Sequence, residues 1–212
     1  MFIELTELLV CPACRPGQGL VARVDRLEGR RVVEGSLGCP ACEARYPIRG
    51  GVARFAREPW PGRSAAAGPP EVALEALTTL LAALLGLEEG GGGYVLVGHG
   101  LAAAAPGLRT IAAEREIVAL GVPPEAGEET EVGRVSWLQG VDPGRLPFFP
   151  GRFRGVAFTG GTSVAVEEAI RLLGPRGRLV LLRPAEEDAR TVSSGPLEVL
   201  ASDPRAIVAI RP

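Results

Sequence analysis

The chain has 212 residues, 46% of them hydrophobic, and a formal net charge of -2. This length suits one medium domain, or a small and a medium domain, and the apolar content is enough to build a core. The slight acidity argues against a nucleic-acid-binding protein, which usually carries a basic stripe. No apolar stretch approaches the roughly 18–20 residues that span a bilayer, and the start does not resemble a signal peptide. We therefore expect a cytoplasmic protein without a membrane segment.

All four cysteines lie in the first fifth of the chain, in two identical Cys-Pro-Ala-Cys motifs. The two-residue spacing lets both sulfurs of a motif reach one ion, and Zn²⁺ prefers four tetrahedral ligands. Two close pairs favour a metal site over a disulfide framework, and the alternative is four reduced thiols in a small core. The pattern predicts one structural Zn²⁺ held by four thiolates, those of Cys11, Cys14, Cys39 and Cys42.

The segment between the two motifs predicts a β-hairpin. Residues 20–27 and 31–37 are strand-like, and Glu28-Gly29 lies at the turn between them. Such a hairpin would bring the two cysteine motifs together, as in a zinc ribbon. Because so small a module has little core of its own, the expected role of the ion is folding and not catalysis.

Three stretches of this module are similar to a known family. They are LTELLVCPAC at 5–14, CPAC at 39–42 and YPIRGGV at 46–52. They resemble the Trm112-like zinc-ribbon family over about the first 55 residues. Members of that family are small activator or stabiliser subunits of methyltransferases that use S-adenosylmethionine (SAM). The resemblance therefore implies a methyltransferase partner, either in trans or later in the same chain.

The rest of the chain predicts a linker followed by an α/β region. Residues 56–70 are rich in Pro and Gly, and 71–87 carry leucines at helical spacing. A second helix is predicted over 164–173, with Thr162 and Ser163 as caps. Alternation of strands with helices favours a mostly parallel sheet, and the last two strands suggest an antiparallel hairpin. The strand-like runs are 94–97, 110–113, 134–138, 155–158, 178–182, 197–201 and 206–210.

Residues 71–212 resemble the class I methyltransferase family. The likeness lies in YVLVGHG at 94–100, in WLQGVDPGRLPF at 137–148 and in EAIRLLGPRGRLVLL at 168–182. It implies a reduced Rossmann-like domain after a ribbon at 1–55 and a linker at 56–70. It also implies a SAM site with Gly98 and Gly100 in the glycine loop and Asp142 near the adenine.

Several positions depart from that family pattern. Leu96 and Arg154 stand where acids are usual, and Ala102 replaces the third glycine. The segment 101–108 is too short for a full crossover helix, and Glu114 is the candidate acid after the second strand. Leu96 and Arg154 cannot accept hydrogen bonds from the ribose of SAM. Each lost bond costs about 1.5–3 kcal/mol, so two would weaken binding by roughly two to four powers of ten.

Three functions follow from these patterns. The first is a zinc-binding protein with a degenerate, non-catalytic methyltransferase-like domain, acting as a binding or regulatory partner of another protein or of a second copy in a homodimer. The second is an active SAM-dependent methyltransferase with its own activator module, so enzyme status stays open. The third, a nucleic-acid-binding ribbon, conflicts with the acidic balance. His99, the only histidine, is interpreted as a loop residue, with a general base or a ligand contact as the alternative, and no catalytic residue is predicted.

Overall fold

The computed structural model describes residues 1–14, 17–55, 71–89, 91–98, 100–123, 135–161 and 163–212. The predicted linker at 56–70, His99 and the predicted cap Thr162 lie outside these ranges. We call residues 1–55 the ribbon and residues 71–212 the carboxyl-terminal region. None of the helices in the described ranges is both long and apolar enough to cross a membrane.

The ribbon consists of a short 3-10 helix and four strands. Strands β1 and β2 pair antiparallel, which confirms the predicted hairpin, and Gly29 at its turn has a positive φ of 58°. Strand β3 pairs antiparallel with β2 and with β4. The bounds are Ile3–Leu8 for the 3-10 helix, Val21–Glu28 for β1, Arg31–Gly38 for β2, Arg45–Arg49 for β3 and Val52–Arg54 for β4.

The carboxyl-terminal region alternates helices and strands. Its helices are α1 at Glu71–Leu85, α2 at Ala105–Ile111, α3 at Ser163–Leu172 and α4 at Glu186–Ser194, with 3-10 turns at Leu87–Glu89 and Ala102–Ala104. Its strands are β5 at Gly93–Val97, β6 at Arg115–Leu120, β7 at Val135–Gln139, β8 at Phe153–Thr159, β9 at Leu173–Leu182, β10 at Glu198–Ser202 and β11 at Ala206–Ile210.

The strands of the described residues form one eleven-stranded sheet, in the order β1-β2-β3-β4-β7-β6-β5-β8-β9-β11-β10. The centre, from β4 to β9, is parallel, and both flanks are antiparallel. The predicted α/β class, with its mostly parallel sheet and its antiparallel hairpin of β10 and β11, is confirmed. Both edge strands carry a bulge, and bulges discourage further strands from adding to an edge.

The ribbon joins the carboxyl-terminal region through a parallel seam between β4 and β7. Val52 lies opposite Trp137, and Ala53 lies opposite Leu138. Beyond β4, the amide of Phe55 donates to the carbonyl of Gln139 at 2.8 Å. Parallel strands need a long connection, which the chain between β4 and β7 provides. The two parts of the chain therefore share one sheet.

The two faces of the sheet have different covers. On one face, α1 and α2 cover alternate strand residues such as Val95 and Val97. On the other face, a single core contains Leu96 and Val156 of the strands, residues of α3 and α4, and apolar side chains of the ribbon. The ribbon contributes Met1, Leu5, Leu8, Leu9, Val32, Leu37 and Ile48 to this core. The ribbon therefore acts as a structural layer of the carboxyl-terminal region.

The second strand of the carboxyl-terminal region differs from its prediction. Residues 110–113, predicted as a strand, instead form the end of α2, which has Pro106 in its first turn, and the turn after it; the strand β6 begins at Arg115. Proline at the first turn starts a helix because its missing N–H has no helical partner to lose. The crossover helix is thus present over seven residues. Glu114 precedes β6, so its predicted place after the second strand is wrong.

Candidate metal centre and cofactor edge

The four cysteines converge at one end of the ribbon. Cys11 and Cys14 follow the 3-10 helix, and Cys39 and Cys42 lie between β2 and β3. Their Sγ atoms all lie within 4.8 Å of one another, with two pairs, Cys11–Cys42 and Cys14–Cys39, at 3.6 Å. A tetrahedral Zn²⁺ with Zn–S bonds of about 2.3 Å separates its sulfurs by about 3.8 Å. The four thiols therefore fit a metal ion of this kind.

The protonation of the thiols reflects their crowding. The backbone N–H of Cys42, with a further contribution from that of Ala41, lowers the pKa of Cys39 to about 6. Hydrogen bonds with the thiols of Cys42 and Cys39 raise the pKa of Cys14 to about 12. A metal ion binds only the thiolate forms, so it competes with these protons. Metal binding is therefore expected to weaken as the pH falls.

Tyr46 connects the cysteine cluster to the seam. Its buried hydroxyl lies 3.3 Å from the Sγ of Cys11, and its ring centroid lies 4.8 Å from that of Phe55. Burial, and then the hydrogen bond with Cys11, raises the pKa of Tyr46, so the phenol stays neutral. If a metal were bound, the neutral hydroxyl of Tyr46 would donate to the thiolate of Cys11 and help to orient it.

The residues predicted for a cofactor lie at the carboxyl ends of two parallel strands. Gly98 and Gly100 follow β5, and Asp142 follows β7, so all three lie where the parallel strands end. We call this side of the sheet, at the carboxyl ends of its parallel strands, the carboxyl edge. Gly100 has φ 84°, a conformation that favours glycine. Asp142 caps its own turn, since its Oδ1 accepts the amide of Gly144 at 2.8 Å. As cofactor residues, these three stay predictions.

Gly98 faces an aromatic ring of its own chain. A methyl group built at Gly98 would overlap the side chain of Phe158, near the end of β8. Phe158 is buried in the same core as Leu96. The amide of Gly98 also donates to the carbonyl of Ala157 at 2.8 Å, which holds the two strand ends together. The space beside Gly98 is therefore occupied by the ring of Phe158.

Among the described residues, carboxylates are missing within β5 and directly after β6, which are two of the three positions where the family pattern has an acid. Leu96 is fully buried in the core, and the described residues after β6 are Gly121, Val122 and Pro123. Arg154 lies at the start of β8, away from this edge, and its Nη1 donates to the carbonyl of Pro175 at 2.6 Å.

Sequence reasoning missed a loop that touches the metal centre. We call residues 140–149 the bridging loop. Within it, the Nη2 of Arg145 donates to the carbonyl of Cys14 at 2.7 Å. On its other side, Arg171 of α3 donates to the carbonyls of Leu146 and Phe148. The only signal for these contacts was the spacing of Glu168 and Arg171, which predicts a pair on one helix face.

Comparison with known proteins identifies similarity in the ribbon. Residues 3–51 match the model of the family described as Trm112p-like protein. No curated protein matches the chain.

Several solved structures resemble part of the chain. The cyclase SpnF is 20% identical with a TM-score of 0.49, over 68% of this chain and 63% of its own. Geranyl diphosphate C-methyltransferase from Streptomyces coelicolor is 15% identical with a TM-score of 0.49, over 68% of this chain and 73% of its own. 1,6-Didemethyltoxoflavin-N1-methyltransferase from Burkholderia thailandensis is 14% identical with a TM-score of 0.47, over 66% of this chain and 77% of its own.

The chain thus spans less than two thirds of the length of SpnF. The family model and the sulfur geometry agree on the amino-terminal part of the chain. Residues 3–51 are a Trm112p-like module whose four cysteines lie in a zinc-ribbon arrangement.

Proposed function

We propose that the protein is a zinc-binding protein with a degenerate, non-catalytic methyltransferase-like domain, and that it acts as a binding or regulatory partner of another protein. The observation that carries the proposal is the ring of Phe158 beside Gly98. In a cofactor-binding α/β fold, the glycine after the first strand lets a ligand approach the backbone. Here the same glycine accommodates a side chain of the chain itself.

A ligand would have to displace that ring from a packed core. Phe158 lies among the buried residues that α3 covers, including Val166 and Ala169. Moving a buried aromatic ring forfeits several kcal/mol, about 3–5 when it is removed altogether. Such a cost subtracts directly from the affinity of any SAM molecule. We infer that the described residues do not fit SAM in the manner of the family.

The lack of acids at these positions among the described residues supports the same inference. The ribose hydroxyls of SAM need a carboxylate acceptor, and Leu96 cannot provide one. Glu114 lies before β6, at the opposite end of that strand. Arg154 is tied to Pro175, away from the carboxyl edge.

The ribbon packs against the carboxyl-terminal region of the same chain. Strand β4 uses its edge to pair with β7, and the apolar face of the ribbon is buried in the shared core. The amide of Phe2 also donates to the buried hydroxyl of Ser136 at 3.1 Å. A further protein, or a second copy in a homodimer, would therefore bind other surfaces. We place this function in the cytoplasm, where thiols stay reduced and free to bind metal.

An active SAM-dependent methyltransferase is the alternative. Two observations favour it: Gly100 keeps a left-handed conformation, and the side chain of Asp142 is exposed at the same edge. Methyl transfer depends largely on positioning, so a site built differently needs few chemical groups.

Isothermal titration of SAM and S-adenosylhomocysteine into the zinc-loaded protein separates the two functions. The proposal predicts no heat of binding up to about 1 mM ligand, which corresponds to less than about 4 kcal/mol of binding free energy. Micromolar binding that Asp142→Asn weakens would contradict the proposal and favour the alternative, which transfer of the methyl group to an acceptor would then have to establish. The Glu198→Gln variant, on an exposed edge strand, is the matched control for loss of one carboxylate.

A further inference from the structure

The bridging loop is held from two sides. On the ribbon side, the amide of Val10 donates to the carbonyl of Pro147 at 3.0 Å, and the amide of Phe149 donates to the carbonyl of Leu8 at 2.9 Å. On the side of α3, the carboxylate of Glu168 accepts the amide of Leu146 at 2.9 Å. The loop therefore connects the metal-binding module to the body of the sheet.

One of these contacts reaches a metal-ligand residue directly. The guanidinium of Arg145 is partly buried and donates to the carbonyl of Cys14 at 2.7 Å. The amide of Arg145 donates in turn to the carbonyl of Asp142 at 2.9 Å. A charged donor at this distance makes one of the stronger hydrogen bonds in proteins. The position of Cys14 and the position of Asp142 are thus linked through one residue.

The position of Cys14 depends on what its sulfur binds. Within the described residues, the turn from Cys11 to Cys14 has one long backbone hydrogen bond, of 3.4 Å. The thiol of Cys14 contacts that of Cys39 at 3.6 Å, a weak hydrogen bond compared with a metal–thiolate bond. A bound metal would therefore fix the carbonyl that Arg145 uses, and loss of the metal would leave this carbonyl less constrained.

We propose that Arg145 is a positioning residue that couples the metal centre to the bridging loop, so that metal binding orders residues 142–146. The coupling is reciprocal by thermodynamic linkage, so the contact of Arg145 also strengthens metal binding. It gives the carboxyl edge of the sheet a metal-dependent conformation. The coupling does not require SAM to bind, so it stands or falls independently of the function proposed above.

The test compares four forms of the full chain: wild type, Arg145→Ala, Arg145→Lys and Arg154→Ala. Arg154 is the matched control because its guanidinium also donates to a backbone carbonyl, that of Pro175, away from the metal centre. Zn²⁺ affinity is measured by competition with a chromophoric chelator. Hydrogen–deuterium exchange over residues 142–149 is measured with zinc and after chelation.

We expect chelation to speed exchange of residues 142–146. Arg145→Ala should speed it even with zinc bound and should weaken Zn²⁺ binding roughly tenfold. Arg145→Lys, which keeps one donor group, should fall between, and Arg154→Ala should match wild type. Circular dichroism of the zinc-loaded forms shows whether each variant is folded. If Arg145→Ala is unfolded, the comparison of Arg145→Lys with wild type is the test. Wild-type affinity and wild-type exchange in the folded Arg145 variants would overturn the proposal, as would loop exchange that chelation leaves unchanged.

Discussion

The ribbon and the carboxyl edge of the sheet both carry residues whose pattern predicted a bound ligand, and they differ in what those residues contact. In the ribbon, four sulfurs lie within 4.8 Å of one another and face a common point. At the carboxyl edge, Gly98 faces Phe158, and Asp142 caps its own turn. The four sulfurs are arranged as ligands of a metal ion, whereas Gly98 and Asp142 contact other residues of the chain.

The comparison shows that a glycine-loop motif does not by itself establish a ligand site. A glycine is retained wherever a close approach requires it, and the approaching group can be a ligand or a side chain. Four thiols in mutual contact have no comparable internal use, because thiols are weak hydrogen-bonding groups. The glycine loop therefore fits either a ligand or the packing of Phe158 against Gly98, whereas the arrangement of the four thiols fits a metal ion.

Removing the metal is expected to have the largest effect. The ribbon supplies one layer of the shared core, so its loosening exposes residues such as Leu138 as well. Chelation should lower the melting temperature by roughly 10 °C or more, and added Zn²⁺ should restore it. Because the chain has two tryptophans, fluorescence of Trp137, which lies in the seam, is measured in a Trp60→Phe variant and reports whether the carboxyl-terminal region responds. An unchanged melting temperature would mean that the metal does not stabilise the ribbon within the shared core.

The next largest effect is expected in the core that the two parts share. Phe148 is fully buried, and its ring centroid lies 4.9 Å from that of Phe153. Phe148→Ala should lower the free energy of unfolding by about 3–5 kcal/mol. The neighbouring Phe149 is only half-buried, so Phe149→Ala should cost clearly less. Urea denaturation measures both, and equal losses would contradict a shared core centred on Phe148.

A double-mutant cycle tests what Gly98 is for. Gly98→Ala should destabilise the protein by about 1–3 kcal/mol, because its methyl group would overlap the ring of Phe158. In the background of Phe158→Ala, the same substitution should cost much less. Denaturant unfolding of the two single variants and the double variant gives the coupling. Additive losses would show that the glycine and the ring act independently.

The smallest effect is expected at the exposed ion pair of Glu4 and Arg30, at 2.6 Å. The hydrogen bond from Arg30 lowers the pKa of Glu4 below its ordinary value. The pair therefore stabilises the fold above the ordinary pKa of a glutamate, and this contribution is lost as the pH falls through the lowered value. Because the pair is exposed, Glu4→Gln should lower the melting temperature at pH 7 by at most about 2 °C. The difference from wild type should shrink as the pH falls through this lowered pKa, and a difference that does not change with pH would have another cause.

Local patterns predicted local structure well. The spacing of the cysteines and the turn at Glu28-Gly29 specify short-range geometry, and both are present as predicted. The prediction misplaced the second strand of the carboxyl-terminal region at residues 110–113. This short, mostly apolar run lies at the end of α2, whose first turn contains Pro106. A short run of this kind does not distinguish a strand from the buried face of a helix.

Long-range contacts could not be predicted from one sequence. Strands β4 and β7 pair across a distance along the chain that no local pattern encodes. The ring of Phe158 reaches Gly98 because β5 and β8 are neighbours in the sheet, which depends on the topology. The contact of Arg145 with Cys14 spans 131 positions for the same reason. The candidate metal site was therefore predictable, whereas the filling of the glycine loop was not.

Amide chemical shifts in a two-dimensional ¹⁵N spectrum test the contrast between the two regions most directly. Titration of the metal-free protein with Zn²⁺ should shift the amides around the four cysteines and those of the bridging loop. Titration of the zinc-loaded protein with S-adenosylhomocysteine to about 1 mM should leave Gly98, Gly100 and Phe158 unshifted. Saturable shifts of these three amides would contradict the account, because they would show that the carboxyl edge admits the cofactor despite the ring beside Gly98.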